Sequence, residues 1–274
     1  YITFKILDIA DLTVDGSICT GAAVCTVLAT KGVNIYLALL AAVIAGLLAG
    51  LLTGLLHTVL GIPAILSGIL TQLILWSANL KIMGKANISL SARSYKVMLT
   101  QMNINSSIAV LAVIGIILIA LLYWFFGTEL GCSVRATGCN LNMSRAQGIN
   151  TNVNIVLGLM LSNAIVALSG ALLAQYQGFA DINMGKGAIV IGLAAVIIGE
   201  AVFSKIARNF AVRLFAVIVG GIIYYIVYQV IIFLGIDTDL LKMLSALVVA
   251  VFLGVPYVKK HYFASAVKGG KNNA

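Results

Sequence analysis

Between Lys31 and His57 the chain carries no charged side chain, and gaps of this kind recur along its length. Uncharged stretches cover Thr58 to Leu80, Ser106 to Thr128, Ala146 to Ala180, Leu214 to Ile236 and Met243 to Val258, with a shorter one from Gly187 to Gly199. A helix needs about 20 residues to cross a hydrocarbon core about 30 Å thick, and most of these stretches meet that length. The rest of the composition agrees. Only 9% of the 274 residues are charged, against 62% hydrophobic. A soluble domain needs about a quarter of its residues charged to keep its surface in water. Lipid removes that requirement.

Helix is the expected state of these segments. Their apolar runs are continuous, whereas barrel strands alternate over segments of roughly ten residues. Backbone N–H and C=O groups in lipid must pair internally, and a helix does so within one segment. The fold class read from the sequence is therefore an all-α polytopic membrane protein, with about eight to nine transmembrane or re-entrant helical segments. Residues 1–274 are read as one transmembrane domain. Tyr1–Leu7 reads as the end of an apolar segment, so the first helix is expected to be truncated. A broken or re-entrant segment follows at Ile9–Ala29. Spans are expected at Tyr36–Leu60, Ile62–Ile82, Ser107–Phe126, Asn152–Tyr176, Met184–Phe203, Leu214–Phe233 and Leu240–Val258. Pro63 after Gly61 marks a break, because proline suits a first helical turn and not an interior one.

Lys and Arg near helix ends set orientation. The tail carries Lys259, Lys260, Lys268 and Lys271, which places the C-terminus in the cytoplasm. Counting back puts Asp237 and Asp239 outside, Lys205, Arg208 and Arg213 inside, Gly178 to Lys186 outside, and Glu129 to Asn150 inside. The same count puts Lys81 to Asn105 outside, although it carries Lys81, Lys85, Arg93 and Lys96 with no acidic residue. Two readings stay open: the loop binds an acidic face of an external partner, or a re-entrant segment upsets the count.

Four features are candidates for function. Asp8, Asp11, Thr13, Asp15 and Gly16 form the least lipid-like part of the first fifty residues. Carboxylates there need solvent, a partner or a helix end, and Thr13 or Asp15 can cap a helix starting near Ser17. A helix break is tolerated in a membrane only where it faces protein or a water-filled cavity. Such breaks line substrate paths in several transporters, so Asp11, Thr13, Asp15 and Gly16 are candidate path residues, with a surface cap and loop as the plain alternative. Ala38, Ala42, Gly46, Gly50 and Gly54 recur every fourth residue, the spacing that lets two membrane helices approach closely. His57 has no partner at metal-ligand spacing and reads as structural.

The third candidate is Glu200, which ends an apolar run and reads as a structural or subunit contact, since Lys205 and Arg208 follow closely. The fourth is Ala136 to Ile149, a polar segment with Leu141, Ala146 and Ile149 spaced along it, which suits a short surface helix docking on another protein. Cys19, Cys25, Cys132 and Cys139 form no metal-binding pattern, and no metal is expected. The net charge of +9 fits cytoplasmic-side Lys and Arg rather than a nucleic-acid surface. Phosphate-binding GxxxxGK[ST], HExxH and nucleophile-elbow motifs are absent, so no catalytic residue is assigned and any ATP site must come from another chain.

The stretch Ile6-Leu7-Asp8-Ile9-Ala10-Asp11-Leu12-Thr13-Val14-Asp15-Gly16-Ser17, with Gly192-Leu193-Ala194-Ala195-Val196-Ile197-Ile198-Gly199-Glu200, resembles permease subunits of bacterial ABC importers. The group is the one containing the branched-chain amino acid and ribose permeases. Ile69-Leu70-Thr71 and Asn79-Leu80-Lys81-Ile82-Met83-Gly84-Lys85-Ala86-Asn87 resemble its tryptophan/tyrosine-type branch. The resemblance implies a multi-pass subunit of the bacterial plasma membrane, paired with a second copy of itself. It also implies two cytoplasmic ABC ATPases, which hold the ATP and Mg, and an extracellular or periplasmic substrate-binding protein. It implies no cofactor on this chain. Asp11, Thr13, Asp15 and Gly16 match the group's broken-helix motif. Gly138, Asn140, Leu141, Arg145, Ala146 and Gly148 fall in the segment carrying its ATPase-coupling helix. Gly199-Glu200 replaces the paired glycines of sugar-type members, so no sugar cargo is inferred; the resemblance favours an amino acid or similar small solute. A secondary transporter and a noncatalytic membrane scaffold are the competing readings.

Overall fold

The computed structural model describes residues 1–91, 95, 97–203, 209–234, 243 and 250. The expected span Leu240–Val258, the charged residues Arg93, Lys96, Lys205, Arg208, Asp237 and Asp239, and the tail lysines lie outside the described residues. The chain divides into two compact units, one comprising Ile2–Ile189 and the other Tyr1 with Val190 onward.

The first unit opens with a π-turn, Ile2–Ile6, followed by a break and helix α1 (Val14–Thr30). Helices α2 (Ile35–Thr58), α3 (Ala64–Met83), α4 (Ile104–Gly127) and α7 (Thr151–Gln177) are each long and apolar enough to cross a membrane. Two shorter helices, α5 (Glu129–Cys139) and α6 (Leu141–Ala146), join α4 to α7. Pro63 stands at the N-cap of α3, and the His57 ring nitrogen Nδ1 lies 2.7 Å from the Ile62 carbonyl, closing the turn between α2 and α3. Gly84 and Gly178 terminate α3 and α7 in the left-handed conformation that glycine adopts without a Cβ penalty.

Lipid offers no hydrophobic drive between helices, so backbones must approach closely to gain dispersion energy. Gly46, Gly50 and Gly54 of α2 do this against α7. A Cβ added at Gly46 would overlap the Asn163 carbonyl, and one at Gly50 would overlap the Leu159 carbonyl. Gly54 lies against Val156. The order of these pairs makes α2 and α7 antiparallel. Gly21 of α1 meets Ala167 and Gly170 of α7 meets Ile18 at a close crossing, and Ser17 bonds Asn163 while Cys25 meets Gln175 further along both helices, so α1 runs parallel to α7. Gly68 faces Leu12, Gly16 faces Leu75, and Met83 packs with Ala22 and Ala23, so α3 is also parallel to α1.

Strands β1 (Asn87–Ser89) and β2 (Phe179–Asp181) pair antiparallel, with Ile88 opposite Ala180. Since β1 follows α3 and β2 follows α7, this small sheet ties together two connections at one end of the bundle. The segment Glu129 to Asn150, with α5 and α6, lies at the other end, where α7 begins. Lys81 itself is still part of α3.

In the second unit α8 (Ala188–Phe203), whose first turn begins in the preceding unit, is followed by α9 (Phe210–Phe233). A Cβ at Gly199 would overlap the Ala216 carbonyl, and one at Gly220 the Ala195 carbonyl, so α8 and α9 pack antiparallel at close range. Among the described residues, five helices reach spanning length, and α1 and α8 are shorter apolar helices. The expected span Met184–Phe203 starts later, at Ala188, because Asn183 to Gly187 forms turns. The molecule is a polytopic, all-helical membrane protein.

Candidate functional site: a helix break at mid-bundle

Helix α1 begins at Val14, earlier than the Ser17 start expected from sequence, and neither proposed cap residue caps it. The Thr13 side chain makes no cap hydrogen bond, because its hydroxyl is 2.8 Å from Thr53 Oγ1 on α2. Asp15 turns the other way: its Oδ2 accepts from Gly187 N and its Oδ1 from Ile189 N, each at 3.0 Å, at the start of α8. A carboxylate suits that position because the first N–H groups of a helix have no partners within it and carry partial positive charge. Gly16, the fourth candidate, packs against Leu75 and Gln72 of α3.

Asp11 supplies the polar centre of the break. Its Oδ1 accepts from Thr13 N at 2.9 Å and its Oδ2 from Asn163 Nδ2 at 2.9 Å. Asn163 Nδ2 also reaches the Leu159 carbonyl, and its Oδ1 accepts from Ser17 Oγ at 2.6 Å. Asn163 is about 18 Å along α7 from Thr151 at 1.5 Å per residue, close to that helix's midpoint. The break therefore sits midway along α7, and α1, 17 residues against 27 in α7, is a shorter helix starting there.

A chain of hydroxyls leaves the break on its other side. Thr53 Oγ1 donates to Thr71 Oγ1 at 3.0 Å, and Thr71 donates to the Ser67 carbonyl at 3.0 Å. Thr53 shares its single proton between Thr71 and the Ala49 carbonyl, which leaves it to accept from Thr13. Asp11, Thr13, Ser17, Thr53, Thr71 and Asn163 are all buried, Asp11 retaining 4% of its surface. Among the described residues Asp11 forms no ion pair, so a buried carboxylate rests on neutral donors alone. An ionisable group held at this depth in a membrane protein is costly.

The spacing in the sequence brought Asp11 and Thr13 to notice but not Ser17, Thr53 or Asn163. The available signal was an Asn in the middle of the uncharged run Ala146–Ala180. A cavity of about 560 Å³ at the sheet end, lined by Asn34, Tyr36, Tyr95 and Met98 among others, does not reach the cluster. The polar side chains of the break are buried in this conformation.

The chain matches the family model described as branched-chain amino acid transport system / permease component over residues 1–254. It belongs to this permease family. A tyrosine transport system permease protein of Clostridioides difficile is 41% identical over 253 residues, covering 92% of this chain and 84% of that protein. An uncharacterized protein of Rickettsia prowazekii is 34% identical over 262 residues, covering 95% of this chain and 91% of its own. A galactofuranose transporter permease protein of Escherichia coli is 29% identical over 160 residues, 57% of this chain and 45% of that protein. No solved structure matches. The permease is thus of the branched-chain and ribose type, in the tyrosine-like branch.

In this permease the other sequence candidates fall as follows. Asn140 caps α6, accepting from Met143 N at 3.0 Å. Leu141, Arg145 and Ala146 are exposed on α6, and Arg145 Nε donates to Thr151 Oγ1 at the start of α7. Gly148 adopts φ 76°, turning the chain into α7. Gly138 does not join this exposed surface. It lies on α5 against the Ile6 carbonyl, where any side chain would collide. Ile149 lies beyond the end of α6, so the expected Leu141, Ala146 and Ile149 do not share one helix. Glu200 is half-buried in the last turn of α8.

Proposed function

We propose that this permease forms, with a second copy of itself, the membrane pathway of an ATP-driven importer in the bacterial plasma membrane, and that its cargo is an amino acid or similar small solute. The observation that carries this reading is the mid-bundle break, where Asp11, Thr13 and Asn163 place a carboxylate, a hydroxyl and an amide at the depth a solute must cross. Helices broken at mid-membrane present polar backbone and side chains to cargo in transporters. The tyrosine transport relative supports an amino-acid cargo. A carboxylate with neutral donors suits the ammonium group of such a solute.

The energy comes from elsewhere. The sequence lacks a phosphate-binding loop, so two cytoplasmic ATPase subunits bind ATP and Mg, and α6 with its exposed Leu141 and Met143 is the surface on which they dock. This orientation puts the β1–β2 end outside, facing a substrate-binding protein, with Lys31, Lys81, Lys85 and Lys186 exposed there. The C-terminus is then cytoplasmic. Nucleotide binding in the partners draws on α6, the helices shift as rigid bodies, and the break opens to one side and then the other.

The test is reconstitution of the permease with its cognate ATPase and binding protein in liposomes. ATP-dependent uptake of tyrosine is expected, with Asp11→Ala lowering it at least tenfold. Uptake driven by an ion gradient without ATP would overturn the importer reading. Undiminished uptake by Asp11→Ala would remove the break from the path.

A further inference from the structure

Asn79 of α3 is fully buried, and neither its amide nitrogen nor its carbonyl oxygen has a hydrogen-bond partner. Its position is fixed by its neighbours one helical turn away on the same face. Leu75 lies against Gly16 of α1, and Met83 packs with Ala22 and Ala23 of α1. Asn79 therefore points into the seam between α1 and α3. Ser67 and Thr71, the terminus of the hydroxyl chain from the break, occupy the same face of α3. Asn163 shows what a satisfied amide looks like in this bundle: its nitrogen reaches Asp11 and the Leu159 carbonyl, and its oxygen accepts from Ser17. Asn79 has none of these.

The seam itself differs from its neighbours. Helix α1 is tied to α7 by Ser17–Asn163 and Cys25–Gln175. Among the described residues no hydrogen bond runs from α1 to α3; Gly16 lets α1 meet Leu75 and Gln72 of α3 by packing alone, and Gly68 does the same against Leu12 just before α1. An orphaned buried amide raises the free energy of the closed seam, and that cost disappears once water or a polar solute reaches it. No comparable gain follows from separating α1 and α7, where the polar groups are already paired.

We propose that Asn79 is a second solute contact in the path, reached when α1 and α3 part, and that it recognises a solute offering a donor and an acceptor side by side, as the ammonium and carboxylate of a free amino acid do. The inference rests on the permease reading above and extends it to a named residue away from the break. The amide oxygen accepts from the ammonium group, and the amide nitrogen donates to the carboxylate. Asp11 by itself offers only acceptors, so the two residues divide the recognition of a zwitterion.

The experiment uses the complete transporter in liposomes, with Asn79→Cys introduced into a Cys132→Ser, Cys139→Ser background, since those two cysteines are exposed. A membrane-impermeant methanethiosulfonate reagent is applied without nucleotide, with ATP and vanadate, and with ATP and saturating tyrosine, and the modified peptide is identified by mass spectrometry. Expected is labelling at least tenfold faster in one nucleotide state than in the others, and slowed by tyrosine. Equal, slow labelling in every state overturns the proposal. So does labelling that tyrosine leaves unchanged. Leu75→Cys, one turn away on the same face, reports the same opening should Asn79→Cys not assemble. Asn79→Leu separates contact from packing: a rise in KM of about tenfold or more supports contact, and unchanged uptake overturns it. Failure of wild-type ATP-driven uptake would instead defeat the importer reading, so the two failures are distinguishable.

Discussion

Asn163 Nδ2 and Asp11 Oδ2, 152 residues apart in the chain, lie 2.9 Å from each other inside the helical bundle. The bond joins the midpoint of the longest described helix to the break that precedes α1, and Ser17 closes the arrangement from the far side of the amide. A carboxylate in this setting has lost its water, and each neutral donor is correspondingly valuable.

Replacing Asn163 with Ala removes a donor from Asp11 and the acceptor of Ser17 at once. The expected cost is about 2–3 kcal/mol, since a buried charged group is left short of a hydrogen bond. Ser17→Ala should cost about 1 kcal/mol. Unfolding in detergent, followed by tryptophan fluorescence, measures both. A double variant with Asp11→Asn should be less destabilised than the sum of the single changes, because the two sites are in contact.

Asp15 acts on the start of α8. Asp15→Ala should cost about 0.5–2 kcal/mol, the usual range for a lost N-cap. Amide hydrogen exchange should rise at Gly187 and Ile189 while the middle of α7 stays protected. Asp15→Asn keeps an oxygen acceptor and should retain most of that protection. Equal exchange in Asp15→Ala and the parent would show that the carboxylate does not hold this turn.

Close helix approach makes a sharp contrast between glycines. Gly50→Val forces a side chain into the Leu159 backbone and should destabilise by about 1–3 kcal/mol or more. Gly192→Ala, inside α8, meets nothing within 4 Å and has no left-handed backbone to strain, so it should express like the parent and melt at or slightly above it. Size-exclusion chromatography and thermal unfolding compare the pair.

The two-stranded sheet gives a test of topology. Leu90 N donates to the Gly178 carbonyl and Ile182 N to the Ala86 carbonyl, which makes Asn87 and Asp181 a non-hydrogen-bonded pair with closely spaced side chains. Asn87→Cys with Asp181→Cys should therefore form a disulfide under mild oxidation. Asn87→Cys with Phe179→Cys, displaced by two residues, should cross-link at least several-fold less. Mass spectrometry of the digested protein reads the outcome.

Surface contacts on α6 should leave stability alone. Leu141 and Met143 are exposed, so Leu141→Ala with Met143→Ala should melt with the parent. Loss of copurifying ATPase, or ATP turnover no longer stimulated by loaded binding protein, is the expected result. Full assembly and full stimulation would move the docking surface elsewhere.

The spans were legible in the sequence because the signal is local and repeated. An uncharged run of twenty residues has few places to go except across lipid, and Gly46, Gly50 and Gly54 announce a close partner without naming it. Pro63 and the left-handed glycines at 84 and 178 set ends that depend only on neighbouring backbone. The break near Asp11 was visible for the same reason, as polar residues beside apolar ones.

Partners across the bundle were not legible. Asp11, Thr13 and Asp15 look alike in sequence, yet Asp11 faces Asn163, Thr13 faces Thr53, and Asp15 faces the start of α8. Which way each points depends on the rotation of α1 about its axis, fixed by Gly21 against Ala167 and Gly16 against Leu75, contacts distant in the chain. Sequence alone determined that the molecule is a membrane-spanning helical bundle with a polar interruption. Only the packing of its helices decided which carboxylate lies buried in that interruption, which one caps another helix, and which amide is left without a partner.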